Sequence, residues 1–212
     1  MGVTRQPGSR GRVMRSGVLT MVVLVGAMSA GGCSYGGGGS LVSTSGGGIV
    51  DEIAPGERQR LPMFSGTTLS GDSFNTRDAA GRVLVVNVWG SWCAPCRAEA
   101  PALKKISDEY TEQGVVFVGI DVRDNDASAV AFERNYGITY PSISTESSVE
   151  AMLAVGDVLP RNAVPSTLVV DASGRVAGRV VGGSTYETLK DLIESASEPG
   201  GPRPSPASQS PP

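Results

Sequence analysis

The sequence predicts an α/β fold in which a central mixed β-sheet is flanked by helices. Three observations predict it. Val83–Trp89 and Val115–Asp121 are near-continuous apolar runs, the mark of strands buried on both faces. Each is followed by a helical pattern, Ala94–Tyr110 closed by Gly114 and Ala127–Tyr136 closed by Gly137. Ser166–Val170 and Arg175–Val181 then read as a hairpin around Asp171-Ala-Ser-Gly174, with a last helix at Thr185–Ala196. Strand-helix-strand followed by a hairpin and a helix implies a mixed sheet.

The remaining elements are shorter. Arg60–Phe64 and Thr68–Phe74 read as two strands of an N-terminal β-hairpin, with Gly66 and Gly71 as breakers. Ile138–Ile143 is a weak extended segment and Ser147–Ala154 a short helix.

Both ends of the 212-residue chain read as something other than fold. Arg5, Arg10, Arg12 and Arg15 precede the 11-residue apolar run Val18–Met28 and the small residues Ser29–Gly32. That order makes 1–32 a secretory signal peptide, and the run is too short to span a bilayer. Ala30-Gly31-Gly32-Cys33 resembles the lipobox of bacterial lipoproteins, with Ala30 where Leu is usual; the resemblance implies lipidation of Cys33. The alternative is ordinary cleavage beside a stray Cys. Residues 33–50 read as the lipidated Cys and a Gly/Ser-rich tether, 51–197 as the domain, and 198–212 as a disordered Pro/Ser-rich tail.

Composition excludes whole classes of chemistry. There is no His, which removes Ser-His-Asp triads, Cys-His proteases and histidine metal sites. Three Cys are too few for a disulfide scaffold. Without the four N-terminal Arg, 14 basic residues face 21 acidic ones, a net charge of −7. That argues against nucleic acid as a partner, and against a basic patch as the membrane anchor.

Cys93-Ala94-Pro95-Cys96 carries the chemistry. It follows a buried strand and opens a helix, where the macrodipole and unpaired N–H groups favour thiolate. Two intervening residues let the sulfurs meet across one turn, and Pro95 suits the first turn. Cys93 is expected to be the exposed nucleophile and Cys96, one turn deeper, the resolving thiol. Half a zinc site is excluded by the lack of further ligands; an inert disulfide fits the strand-to-helix junction poorly.

Glu99 lies three residues after Cys96 and shares a helix face with Leu103, Ile106 and Tyr110. A carboxyl there should be partly buried, with a raised pKa suited to proton transfer. The alternative is a surface Glu paired with Arg97 or Lys104. Trp89 reads as core; Trp92 reads as surface beside Cys93 that substrates touch, with plain packing as the alternative.

Asn87-Val-Trp-Gly-Ser-Trp-Cys-Ala-Pro-Cys-Arg-Ala-Glu-Ala-Pro101 resembles the thioredoxin-fold reductases of the TlpA/ResA/CcmG type. The resemblance covers roughly 58–196 and implies a thioredoxin-like fold with a central insert holding Tyr136–Pro141. It implies a helix kink at Pro101 and a catalytic Glu at Glu99. It also implies that Val164-Pro165 is cis beside the CxxC and shapes a substrate groove; a trans Pro starting a strand is the alternative without it. Asn87 stands where thioredoxins carry a buried acid. The implied activity is disulfide reduction outside the cytoplasm without a cofactor. The implied partners are a membrane dithiol donor and protein disulfides such as apocytochrome c, met by a lipid-anchored monomer. Two alternatives are a peroxiredoxin-like peroxidase, which Trp-Gly-Ser-Trp before Cys93 fits poorly, and a non-catalytic binding lipoprotein.

Overall fold

The structure is a computed structural model that describes residues 2, 41–43, 47–160 and 162–198. Apart from Gly2, the expected signal segment, Cys33 and most of the expected tail lie outside the described residues. No helix among the described residues is long and apolar enough to cross a membrane.

Among the described residues, nine strands and four α-helices follow one another: β1 Leu41–Ser43, β2 Ile49–Glu52, β3 Ser65–Thr67, β4 Ser73–Asn75, β5 Leu84–Trp89, α1 Ala94–Thr111, β6 Val116–Asp121, α2 Asp126–Tyr136, β7 Ser142–Ile143, α3 Ser148–Val155, β8 Ser166–Val170, β9 Val176–Val181 and α4 Tyr186–Ser197. Seven strands form one mixed sheet in the order β1-β2-β9-β8-β5-β6-β7, and β3-β4 form a separate hairpin. The central strand β5 is parallel to β6 and antiparallel to β8.

Pleating divides β5 between two cores. Leu84, Val86 and Val88 face a core with Phe64, Phe74 and Val155. Val85 faces the other, with Leu103 and Ile106 of α1 and Leu189 and Ile193 of α4. Asn87 and Trp89 alternate with Leu84, Val86 and Val88, which brings them to the α1 side. All six residues of β5 are buried, as a central strand covered on both faces requires.

Helix ends follow the local chemistry. The Asn125 side chain accepts from the Ser128 N–H at the start of α2, and Gly137 closes that helix at φ +66°. Thr185 caps α4 through the Thr188 N–H. α1 continues through Pro101 over its full 18 residues.

Three expectations need correction. The tether does not extend to residue 50: β2 pairs with β9 from Ile49 onward, and β1 pairs with β2. Val50, just after the second Gly run, is buried, so this stretch has an apolar residue to cover. Arg60–Phe64 is not a strand. Its Leu61 and Phe64 are anchored in the core, and only Arg60 makes an isolated bridge, with Arg175. The hairpin is therefore Ser65–Thr67 with Ser73–Asn75. In Ile138–Ile143 only the last two residues pair, with Gly119 and Ile120 of β6.

Candidate active site

β5 ends at Trp89 and α1 begins at Ala94, so Cys93 sits at the N-cap. Its Sγ accepts the Cys96 N–H at 3.2 Å. A thiolate there gains a donor the helix otherwise leaves unpaired, together with the positive end of the dipole. Cys93 and Cys96 form a disulfide, with Cα atoms 5.3 Å apart.

Cys93 is not exposed in this oxidised form. It is 3% accessible, against 1% for Cys96. Both sulfurs pack in a small cluster with Trp89, Ala100, Ala129 and Phe132, against which Leu69, Tyr136 and Val164 lie. The N-cap position turns the Cys93 side chain back over the helix end rather than out to water.

The loop ahead of Cys93 is held by the segment that follows β6. The Ser91 N–H donates to Asp124 Oδ2 at 2.6 Å, and Trp92 Nε1 donates to the Val122 carbonyl at 3.1 Å. The Arg123 guanidinium lies 4.7 Å over the Trp92 ring. Trp92 is nevertheless 47% exposed, beside the disulfide. Pro95 is exposed in the first turn of α1. Trp89 is buried, stacked on Phe132 at 4.5 Å, with its Nε1 donating to Ser142 Oγ. Val164-Pro165 is cis; Pro165 is buried and Val164 half-buried against the cysteine cluster.

Glu99 is buried at 3% exposure. Oε1 accepts from Asn87 Nδ2 at 3.0 Å; Oε2 accepts from the Ser184 N–H at 2.8 Å and from its hydroxyl at 2.9 Å. Burial penalises the ionised carboxyl and pushes its pKa up to about 7, against the pull of the Ser184 and Asn87 bonds. The surface alternative fails because Arg97 donates to the Ser91 carbonyl and Lys104 pairs with Asp108.

Ser184 and Asn87 are the residues that sequence reasoning did not place in the site. Asn87 also donates to Thr167 Oγ1 at 3.1 Å, tying α1, β5 and β8 together. Its lone amide in an apolar strand was the available signal for a buried hydrogen-bond partner. Ser184 lies 85 residues from Glu99, and no spacing rule connects them.

A disulfide at the N-cap of a helix that follows the central strand, beside a cis-proline, on a mixed sheet, defines a thioredoxin-like thiol–disulfide oxidoreductase. The chain belongs to the Redoxin family, whose model matches residues 56–193. It is 28% identical to the thiol-disulfide oxidoreductase ResA of Bacillus thuringiensis (strain Al Hakam) over 137 residues, 64% of this chain and 76% of that protein. It is 30% identical to the thioredoxin-like protein YneN of Bacillus subtilis (strain 168), over 68% of this chain and 82% of that one. Among solved structures, a DsbF homologue from Corynebacterium diphtheriae aligns with a TM-score of 0.64 at 32% identity, covering 74% of this chain and 99% of that one. A secreted thiol-disulfide isomerase from Corynebacterium glutamicum aligns at 0.65 and 30% identity, covering 76% and 100%.

Proposed function

We propose that this oxidoreductase is an exported disulfide reductase, anchored through a lipid on Cys33 at the outer face of the cytoplasmic membrane. The reduced Cys93 thiolate attacks a substrate disulfide, forming a mixed disulfide and releasing one substrate thiolate. The Cys96 thiolate then attacks Cys93 Sγ, which releases the second substrate thiolate and leaves the Cys93–Cys96 disulfide. The substrate gains two electrons and two protons. A membrane dithiol donor restores the Cys93–Cys96 dithiol in the reverse sense. The client class is a protein disulfide, with apocytochrome c cysteines as the leading candidate. Exposed Trp92 and Pro95 and half-buried Val164 form the surface that receives it, with buried Pro165 shaping it from behind.

The observation that carries this reading is the Cys93–Cys96 pair at the N-cap of α1, where Cys93 Sγ accepts the Cys96 N–H, with the buried Glu99 carboxyl one turn further along the helix. Export is supported by the basic, apolar and small-residue order of 1–32 and by similarity to a protein described as secreted. A redox titration of the Cys93–Cys96 pair tests the direction. A potential near that of thioredoxin, about −270 mV, upholds a reductase; one near that of DsbA, about −120 mV, makes the chain a disulfide donor.

A further inference from the structure

A cavity of about 190 Å³ lies at the end of the sheet opposite the cysteines. Leu84, the first residue of β5, pairs there with Val170, the last of β8, and both line the cavity. The run of β5, about 17 Å of strand, separates it from the Cys93 end. Buried Leu61 and Leu84 make its inner wall apolar, and Met63, 60% exposed, stands among the lining residues.

Arg60, Arg77 and Arg82 line the same cavity, all exposed. Asp171 is the sole acid among the lining residues, and it is already committed. It pairs with Arg58 at 3.0 Å and accepts from Ser173 and from the Arg175 N–H. Among the described residues, the Arg60 and Arg77 guanidiniums have neither an ion pair nor a hydrogen bond, and that of Arg82 donates only to the Asp78 carbonyl. Elsewhere among the described residues, Arg58, Arg179, Lys104 and Lys190 each have a carboxylate, Arg97 and Arg175 donate to backbone carbonyls, and Arg123 and Lys105 lie over aromatic rings. In a chain of net negative charge, three guanidiniums around one apolar cavity without a carboxylate of their own are a local positive field awaiting a counter-charge.

We propose that this cavity binds an amphiphilic oxyanion, a phosphate or carboxylate head on a hydrocarbon body. Planar guanidiniums take two oxygens of such a head at once, which a bare lysine cluster does not. The inner wall takes the hydrocarbon beside the head. The volume corresponds to about six water-sized groups, so a chain of several carbons fills it. The head comes either from a free amphiphile or from a phospholipid. The site is independent of the redox reading, since it shares no residue with the cysteine end.

Calorimetric titration of the full chain tests it, with hexyl phosphate, soluble dihexanoyl phosphatidylglycerol and inorganic phosphate as probes. At least one amphiphile should bind tenfold or more tightly than inorganic phosphate. Arg77→Gln/Arg82→Gln should weaken that binding at least tenfold, and added salt should weaken it in the wild type. Binding of hexyl phosphate alone assigns a free amphiphile; binding of the lipid alone assigns a headgroup; both outcomes uphold the site. No binding of either amphiphile, affinity equal to that of inorganic phosphate, or an affinity unchanged in the double variant overturns it. Disulfide exchange, measured in the same double variant, should stay at the wild-type rate.

Discussion

Ser184 turns both of its donors onto a single oxygen of Glu99, its N–H at 2.8 Å and its hydroxyl at 2.9 Å. The contact joins the segment between β9 and α4 to the helix that carries the cysteines. With Asn87 on the other oxygen, the carboxylate has three donors in a buried site. These bonds stabilise the ionised form, but desolvation outweighs them, and the pKa settles at about 7 rather than near 4.5.

That balance predicts a pH dependence of stability. Between pH 4.5 and about 7 the folded chain keeps the Glu99 proton while the unfolded chain gives it up. The folded state then binds more protons, so stability is full below the unfolded value and falls as pH rises through the folded one. The shift from 4.5 to about 7 bounds the loss at about 3 kcal/mol. Asp121, also raised to about 7 by burial, adds a loss of the same sign. Urea unfolding of the oxidised chain should show lower stability at pH 8 than at pH 5, and Glu99→Gln should shrink the difference. An unchanged difference would mean that Glu99 does not titrate in this range.

Gly119 predicts a packing defect behind the site. A Cβ there would sit 2.2 Å from Ser142 Oγ and 2.6 Å from Trp89 Nε1, the two atoms that hydrogen-bond each other. Gly119→Ala should cost about 1–3 kcal/mol and alter the near-ultraviolet signal of Trp89. Adding Ser142→Ala removes one obstacle and should recover part of the loss. Wild-type stability in the single variant would show that β6 and β7 yield more easily than their pairing implies.

The main architecture was legible because β5, β6 and β8 are apolar on both faces and the helices repeat at 3.6 residues. The cysteine pair and the buried place of Glu99 were legible for the same local reasons. Ser184 was not, because its role depends on where β9 returns to the sheet. Nor was the fate of Leu61 and Phe64: a short apolar run ahead of Gly66 suggested a strand, but two side chains reaching one core need no ladder partner. The burial of Cys93 was missed because helix-end electrostatics says which sulfur is activated, not how tightly Val164 and Trp89 pack around it.

The proposed division of labour between the cysteines has a direct readout. Cys96→Ser leaves a nucleophile with no partner to release it, so mixed disulfides with clients should accumulate and be identifiable by mass. Cys93→Ser should abolish exchange and collect far fewer adducts. The opposite pattern would reverse the roles.

The proposed anchor is tested outside the domain. Cys33→Ala should shift the exported chain from the membrane to the soluble fraction or block its maturation. With a net charge of −7 after residue 32, no general attraction to an anionic surface would retain it. Membrane association equal to wild type would remove the lipid from the account.

The proposed role of Glu99 as the proton carrier for the thiols gives the most discriminating prediction. In that role an ionised Glu99 one turn after Cys96 would oppose a second negative charge on the reduced pair. Glu99→Gln keeps the shape and removes that charge. The Cys93 thiol pKa should fall, as followed by alkylation rate against pH, while exchange near neutral pH slows because the proton carrier is gone. Ser184→Ala acts in the opposite sense on the carboxyl. It deletes the hydroxyl donor at 2.9 Å but keeps the N–H, so the Glu99 pKa should rise further and the pH profile of exchange should move upward. A carboxyl that merely braced α1 against the β9–α4 segment would lower stability in both variants without moving either pH profile. Two profiles displaced in the predicted directions, with the fold retained, would place the proton on Glu99; two superimposable profiles would send the search for the carrier elsewhere in the cysteine cluster.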